Sequence, residues 1–453
     1  MKRTLFDKLK SSLGHRLIVI ALITLAMGIP LNMVSGVISE RHHYYDSVLM
    51  EIASLWGAQQ TIVGPIIVVP FIEKYESEEE LENSYGHTET KRKTRYVRKT
   101  AVFLPDDLDV SAELKEDYRE RGIYRSLVYA AQYRMTGKFS DIDLSTLSNS
   151  VDEVLYAEAE IIIGLSDTKA IDQINAVSWN GKDLSVVSGV GSSGILHSGF
   201  SAKLSGDLNS ADEFHFDIDL SVNGSHGVRF APLGETTNVT MRSSWPHPKF
   251  AGQLLPDNHE INAEGFIANW RIPHLARNYP QQWVTEKSEL NVYELLAGVD
   301  LFEPVFIYSK INRAVKYGLL FIALTFITFF IFESTAGSTL HYIQYGLVGV
   351  SLAFFYLLLL SLSEHLHFSV AYFISALTCV GLISSYVGYA LANRSRGIVL
   401  FWLLSGLFTA IYTLLRLEDY ALLMGTLLLL ISLAGLMFLT KDLNSAPSDT
   451  VDA

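Results

Sequence analysis

The sequence predicts a polytopic α-helical membrane protein with about six spans and a large β-rich domain, an α+β body in which two sheets pack on each other. Three observations predict this fold class. The mean hydropathy is +0.24 and charged residues make up 18% of the 453, whereas soluble domains carry about 25%. Long apolar stretches occur near both ends of the chain. Between them lies an acidic block in which short apolar runs alternate with polar residues.

The charge of the chain is unevenly distributed. Residues 40–309 contain 40 acidic and 23 basic residues, a net charge of −17, and the remaining residues have a net charge of +4. This pattern excludes a purely cytosolic enzyme and a disordered chain, and no domain is basic enough for a nucleic-acid binder. The single cysteine, Cys379, excludes an intrachain disulfide and a cysteine-based metal site. The acidic block is long enough to be held by core packing alone.

Each membrane span needs about 20 mainly apolar residues. The second candidate stretch is short, and Lys316 and Glu333 flank it as interfacial anchors. The six candidate stretches are 17–38, 317–332, 342–363, 368–392, 398–415 and 420–439. The predicted organisation is a basic cytoplasmic N-terminus at 1–16, a first helix at 17–38, a β-rich domain at 39–316, a five-helix bundle at 317–439 and a disordered cytoplasmic tail at 440–453.

The first stretch has a second interpretation, a cleaved signal peptide. Basic residues precede an apolar run, as they do in a signal peptide. The run continues through Pro30 to Ile38, however, and the best small-residue cleavage site, at 26–28, is poor. A retained membrane anchor is therefore the favoured interpretation.

The orientation of the chain follows from basic residues in short flanking segments, which stay in the cytoplasm. Five basic residues before Leu17 place the N-terminus inside, so six crossings put the β-rich domain outside and the C-terminus inside. Arg394 and Arg396 agree with this orientation. The three basic residues in 310–316 and the loop 334–340, which has no Lys or Arg, disagree. We keep the orientation because the first helix usually dominates.

The β-rich domain begins with a helical extension of the first span. Apolar positions recur at helical spacing in 39–57, and Gly64-Pro65 is expected to end this helix. Beyond it the pattern is mostly strand-like, with only a few helices expected. Strands are predicted at 66–71, 96–104, 214–222, around Val239 and Met241, and at 266–270.

A patch of opposite charges stands out near the start of this domain. An acidic run at 76–82 is followed by a basic run at 91–99. Opposite charges close in sequence are typical of a solvated hairpin whose two arms attract each other. A tip that docks a partner is the functional alternative. The charged residues are Glu76, Glu78, Glu79, Glu80, Glu82, Lys91, Arg92, Lys93, Arg95, Arg98 and Lys99.

Two fragments of catalytic motifs are weak. Gly189, Gly191 and Gly194 match G-x-G-x-x-G, but the residues that follow are strand-like and lack the helix whose amides would bind a pyrophosphate. His259-Glu260 begins like a zinc-protease motif, but Ala263 stands where the second histidine is needed. An inter-strand loop and an ordinary polar segment are the favoured interpretations.

Two further segments have a structural and a functional interpretation. His365 and His367, beside Glu364, could share a metal ion, but no further ligand is near in sequence, so a polar turn at the membrane interface is favoured. The segment 245–248, Trp-Pro-His-Pro, predicts a rigid extended spacer, with a partner-binding ridge as the alternative.

The interiors of the last five spans contain no ionisable side chain. Ion-coupled transporters usually need such groups near the midplane of the membrane. Gln344 and Asn32 are the strongest polar groups in the spans, at positions compatible with helix packing. Small residues at a spacing of four favour close helix contact. The bundle is therefore predicted to be an anchor or scaffold, although a passive lipid or solute path stays open. The small-residue pairs are Ala371 with Ser375 and Gly381 with Ser385.

Several segments resemble the CreD family of bacterial inner-membrane proteins. The strongest are 51–70, EIASLWGAQQTIVGPIIVVP, and 120–139, ERGIYRSLVYAAQYRMTGKF. The resemblance covers nearly the whole chain, and the charged patch and the glycine-rich loop look like less constrained insertions. The other similar segments are 228–250, 265–283, 301–333 and 417–441.

The resemblance implies a cell inner-membrane protein of Gram-negative type whose large domain lies in the periplasm. Members of the family are associated with cell-envelope integrity, stress response and colicin tolerance. Their expression is tied to the Cre two-component system and, in some bacteria, to the β-lactam response. No catalytic residue, cofactor or metal ligand is established for the family, so the resemblance assigns none to this chain.

We therefore expect a multi-pass, non-enzymatic envelope protein. Its periplasmic domain would bind an envelope protein or a glycan, and its helices would anchor it in the lipid bilayer, with the oligomeric state left open. The alternative is a transporter or lipid-handling protein with a periplasmic gate, which needs a lateral cleft between helices. An outward-facing hydrolase would need a nucleophile–base pair or a metal cluster assembled by the fold.

Overall fold

The structure, a computed structural model, describes residues 13–82, 88–191, 194–204, 208, 213–285, 290–301, 307–336, 341–391, 393–416 and five single positions between 423 and 434. The chain forms two compact units. The first, which we call the membrane unit, consists of Met1–Asp46 and Val305–Ala453. The second, the β-rich unit, is Ser47–Pro304.

The described helices are apolar over most of their length. The first two form an almost continuous helix of 42 residues, His15–Trp56, whose last ten residues belong to the β-rich unit. Polar side chains cap two later helices: His341 and Gln344 form a capping box, and His367 accepts a hydrogen bond from the Ser369 amide. The helices are α1 (Leu13–Ala26), α2 (Gly28–Trp56), α3 (Ile307–Lys316), α4 (Gly318–Ala336), α5 (Tyr342–Ser363), α6 (Phe368–Ala390) and α7 (Arg394–Arg416).

Among the described residues, four helices are long and apolar enough to cross a membrane. The pair α3 and α4, bent by 43°, would be a fifth span if it crosses as one. These elements match five of the six predicted stretches. The sixth, 420–439, lies almost entirely outside the described residues, so six spans remains a prediction.

The helix that follows the first span ends earlier than the sequence suggested. It ends at Trp56, and Gly57 follows with φ +148°, a conformation that favours glycine. Gly64-Pro65 lies inside the first strand instead of terminating the helix. The chain changes direction early because Gln60, Thr61 and Ile62 already pair with another strand of the sheet.

The β-rich unit contains two mixed sheets. The ten strands of the first sheet are β1 (Gln60–Glu82), β2 (Thr88–Phe103), β5 (Val151–Val154), β6 (Glu160–Leu165), β9 (Val186–Ser188), β10 (Gly199–Lys203), β12 (Gly227–Phe230), β14 (Pro248–Gly252), β17 (Gln282–Val284) and β18 (Ala297–Leu301). The eight strands of the second sheet are β3 (Asp107–Arg121), β4 (Tyr124–Ser140), β7 (Ile171–Trp179), β8 (Lys182–Asp183), β11 (Glu213–Ser225), β13 (Thr236–Ser243), β15 (Asn258–Asn262) and β16 (Gly265–Pro273).

Strand β1 organises the first sheet. It pairs antiparallel with β2, β5 and β6 and parallel with β12. The second sheet has the order β15-β16-β13-β3-β4-β11-β7-β8, with one parallel pair, β13 and β3. Beyond residue 60, the helical elements described in this unit are four short 3-10 turns, so the α part of the predicted α+β body is small.

The two sheets share one hydrophobic core. Strand β11 buries every second residue from Phe214 to Val222, as its two-residue alternation predicts. Fully buried aromatic side chains from both sheets belong to the same core, including Phe71, Tyr129 and Tyr133. The unit is therefore built as a sheet packed on a sheet.

Candidate functional site

The most distinctive feature of the β-rich unit is a hairpin that continues beyond its sheet. Strand β5 pairs with β1 only as far as Glu73. From Tyr75 to Glu82, the only described strand paired with β1 is β2, in a register from Tyr75↔Arg95 to Glu82↔Thr88. Eight residue pairs at about 3.3 Å per residue give a two-stranded arm of roughly 25 Å. We call this arm, 75–82 with 88–95, the charged ribbon.

The charged ribbon pairs an acidic strand with a basic one. Glu78 lies opposite Arg92 and Glu79 opposite Lys91 in the strand register. Opposite charges at facing positions stabilise antiparallel pairs by about 0.2–1 kcal/mol each. The hairpin predicted from the charge pattern is confirmed by this register.

A buried ion pair lies where the charged ribbon leaves the sheet. The Lys99 ammonium is 2.7 Å from Glu73 Oε2, and both side chains are at most 7% exposed. The hydroxyls of Tyr75 and Ser148 also donate to the Glu73 carboxylate. These residues lie at the base of the ribbon, where it leaves the sheet, and we call Glu73, Lys99, Tyr75 and Ser148 the base cluster.

The base cluster corrects one detail of the sequence analysis. Lys99 was grouped with the solvated basic run, but it is buried. Lys99 faces Phe71 in the register, so Glu73 is its diagonal neighbour across the strands. Glu73 lies outside the acidic run and gave no sequence signal. The strand register brings these residues together, and the spacing of charges in the sequence does not predict that register.

The base cluster holds the Glu73 carboxylate in its charged form. Burial alone would raise the pKa of Glu73, but hydrogen bonds from Lys99, Ser148 and Tyr75, with the charge of Lys99, lower the pKa to about 2. A carboxylate that keeps its charge in a buried position needs all of these donors. The Glu73 carboxylate is therefore ionised near neutral pH and paired with Lys99.

The lowered pKa predicts an acid-dependent contribution to stability. Because the folded-state pKa of about 2 lies below the ordinary 4.5, the unfolded state binds more protons between these values, and stability falls as the pH falls. Measuring unfolding of the wild type and Glu73→Gln from pH 7 to pH 2, we expect a difference that is constant above about pH 4.5 and shrinks below it. A difference independent of pH would contradict the assignment.

The weak motif fragments take structural positions. Gly189, Gly191 and Gly194 lie between β9 and β10 with φ of +102°, +67° and +69°, which is the predicted inter-strand loop. His259 and Glu260 are exposed on β15, at one edge of the second sheet. In the part of the chain that the structure describes, no helix directly follows the glycine-rich loop, and His259 and Glu260 belong to no metal-binding cluster.

The segment with two prolines connects the sheets. Trp245 is 9% exposed, its ring contacts Tyr118, and its indole nitrogen donates to the His247 carbonyl over 3.2 Å. The segment leads from β13 in the second sheet to β14 in the first. This placement fits the spacer interpretation.

The polar turn between α5 and α6 contains an ion pair. Arg41 donates to both Glu364 oxygens at 2.8 and 2.7 Å, and the Tyr308 hydroxyl donates to Oε1 at 3.2 Å. His367 caps the start of α6.

The metal site considered for His365 and His367 is not assembled by the described residues. Across the part of the chain that the structure describes, no three His, Cys, Asp or Glu residues are close enough to hold a metal ion.

Other polar groups of the membrane unit differ from their predicted positions. Glu333, expected at the flank of a span, is 6% exposed inside α4 and pairs with Arg16 and the Tyr345 hydroxyl. Asn32 is exposed and does not lie at a packed helix face. Gln344 belongs to a helix cap. The buried Glu333 carboxylate is thus neutralised by a partner from another helix.

Comparisons with known proteins agree on one family. The family model described as "Inner membrane protein CreD" matches residues 12–445. The inner membrane protein CreD of Escherichia coli (strain K12) is 31% identical over 448 residues, which cover 98% of this chain and 94% of that protein.

Among solved structures, likeness is slight. An M1 zinc metallopeptidase from Deinococcus radiodurans aligns with a TM-score of 0.21 and 10% identity over 44% of this chain and 42% of the enzyme. A two-domain mutant of that peptidase bound to L-arginine has the same TM-score, identity and coverage. Similarity at this level carries no argument about fold or function.

Proposed function

Because the chain belongs to the CreD family of inner membrane proteins, we propose that it is a non-enzymatic envelope protein whose β-rich unit lies in the periplasm and binds an envelope protein or glycan. The charged ribbon is the observation that carries this proposal. An arm without further described strand partners, held at its base by a buried ion pair, offers main-chain edges to a partner.

The proposed cellular role is to maintain the envelope under stress. Colicin tolerance, regulation by the Cre two-component system and the β-lactam response come from the family resemblance and belong to this proposal. The contacts of the β-rich unit support a narrower part of the proposal, namely that the charged ribbon is the arm that binds an envelope partner.

A crosslinking experiment tests the binding surface. Tyr96, next to the charged ribbon, is 62% exposed, and the native Cys379 is buried. Tyr96→Cys therefore offers one accessible thiol for a photo-crosslinker and for a membrane-impermeant maleimide. We expect maleimide labelling from the periplasm and one recurrent crosslinked species in growing cells.

The matched control is Leu275→Cys, at a residue of the same unit that is 83% exposed and lies outside the charged ribbon. We expect it to be labelled equally but not to give that species. Protection of both thiols from the impermeant reagent would overturn the periplasmic placement. Identical crosslinks from both positions, or none from Tyr96→Cys, would overturn the ribbon as the binding surface.

A second candidate, lipid handling, is favoured by grooves on the membrane unit. One of about 310 Å³ lies between α6 and α7 and includes Tyr372, Phe408 and Tyr412. Another of about 470 Å³ lies between α5 and α6 and includes Phe354 and Cys379. Such grooves could hold acyl chains. Lipid-transfer assays with reconstituted protein would decide, since a pure anchor would not accelerate exchange between vesicles.

A further inference from the structure

A third groove lies near the turn that connects α6 with α7. Its volume is about 670 Å³. On α6 it is lined at helical spacing by Gly381, Ser384, Ser385 and Gly388, and on α7 by Arg394 and Gly397, followed by apolar residues. Both helices are long and apolar enough to cross a membrane, and a bilayer around them would place lipid at the opening.

Small residues create this groove. A Cβ at Gly397 would lie 2.9 Å from the Ser384 carbonyl oxygen and 3.2 Å from Gly388 Cα, so the two backbones cross closely there. A Cβ at Gly381 would meet no atom within 4 Å. The two backbones therefore approach closely at Gly397 and leave open space at Gly381, where the sequence analysis expected Gly381 and Ser385 to make close helix contact.

A buried hydroxyl in this groove lacks a partner. Ser384 is 6% exposed, and its hydroxyl has no hydrogen-bond partner in the part of the chain that the structure describes. Two other buried hydroxyls of the bundle, those of Thr325 and Ser375, bond at 2.8 Å to the carbonyl four residues earlier. The Ser363 hydroxyl also lacks a described partner, but it does not line this groove. A buried hydroxyl without a partner is costly unless a ligand supplies one.

A cation stands at the end of the same groove. Arg394, the first residue of α7, is exposed, and Tyr389, at 82% exposure, lines the groove beside it. Arginine binds phosphate through two parallel hydrogen bonds, and aromatic residues favour the headgroup level of the membrane. The groove thus has an apolar wall, a hydroxyl inside and a cation at its mouth.

We propose that this groove binds one anionic glycerophospholipid. Arg394 pairs with the phosphate, the Ser384 hydroxyl donates to an ester oxygen, and an acyl chain lies along Ile398 and Phe401, which complete the wall. Free phosphate would satisfy only Arg394. The site lies in the membrane unit and rests on neither candidate function, because a bound lipid there can be structural.

The test uses the purified full-length protein in nanodiscs made from a mixture of phosphatidylglycerol and phosphatidylcholine. Lipid that stays with the protein after transfer to detergent is quantified by native mass spectrometry. For the wild type we expect one retained phosphatidylglycerol, with about a fivefold preference over phosphatidylcholine, as one basic residue near the membrane surface supplies. Glycerol phosphate, added as the soluble headgroup, should not compete.

Two variants and two controls decide the outcome. Arg394→Gln should remove the headgroup preference, whereas Arg396→Gln, two residues away and not lining the groove, should keep it. Gly381→Leu should fill the open space and abolish retention. Gly406→Leu, at a glycine of α7 that also has nothing within 4 Å of its Cβ and does not line the groove, should not. Equal effects within either pair, retention of several lipids without headgroup preference, or competition by glycerol phosphate would overturn the proposal.

Discussion

Replacing Lys99 with methionine should lower the free energy of unfolding of the β-rich unit by about 3–5 kcal/mol. Methionine fills a similar volume, but it leaves the Glu73 carboxylate buried at 5% exposure without its cation. The pKa of Glu73 should then rise, because burial remains while the hydrogen bond and the charge of Lys99 are lost. Few other single changes in this unit leave an uncompensated buried charge.

The measurement is urea unfolding of the full-length protein in detergent, followed by tryptophan fluorescence. Five of the six tryptophans lie in the β-rich unit, so the signal reports mainly on it. Arg98→Met is the matched control, because Arg98 is the neighbouring residue on β2 and its pair with Glu158 is about half exposed. Exposed pairs contribute little, so the control should unfold almost like the wild type.

A double variant separates lost charge compensation from lost packing. Glu73→Gln with Lys99→Met removes both charges and should regain most of the stability, since neutral partners of similar volume often replace a buried ion pair without cost. If the double variant is as unstable as Lys99→Met, the pair contributes through shape and not through charge.

The Lys99 variant also links stability to the proposed function. The base cluster joins β1 to β2 at the exit of the charged ribbon through a buried ion pair. Loss of this contact should increase tryptic cleavage in the basic strand of the ribbon and weaken crosslinking from Tyr96→Cys. Unchanged crosslinking in a destabilised variant would show that the partner binds elsewhere.

The sequence predicted the elements of the fold better than their contacts. The lengths of the apolar stretches predicted α5 with its correct bounds and α6 and α7 within a few residues, because the thickness of the membrane sets the length of a spanning helix. Complementary charge runs gave the hairpin. The register that buries Lys99 against Glu73 could not be predicted, because it depends on pairing of β1 with four other strands.

Contacts across long sequence separations explain the remaining differences. Glu333 and Glu364 looked like polar ends of apolar stretches, yet their partners Arg16 and Arg41 lie more than 300 residues away. Gly381 and Ser385 carried a helix-packing signal, but the close backbone approach lies at Gly388 and Gly397, and open space remains at Gly381. A spacing rule identifies the helix face and not the point where the helices cross.

Replacing Glu364 with alanine should destabilise the membrane unit by about 2 kcal/mol, in the range of hydrogen bonds to charged groups. Glu364 is 11% exposed and accepts three hydrogen bonds, two from Arg41 and one from Tyr308. Arg41 is 36% exposed, which makes the expected effect smaller than that of Lys99. The three residues join α2, α3 and the end of α5, so their loss should loosen three helices together.

Cys379 provides the measurement, because it is the only cysteine and is 6% exposed within α6. A loss of about 2 kcal/mol corresponds to roughly 30-fold more frequent opening, so thiol labelling in detergent should accelerate by up to that factor in Glu364→Ala.

Two further variants serve as controls. Glu40→Ala, at the exposed neighbour of Arg41, should label like the wild type. Arg41→Lys keeps the charge without the paired geometry and should label at an intermediate rate. Equal rates in all four proteins would mean that the bundle opens without breaking the Arg41–Glu364 pair.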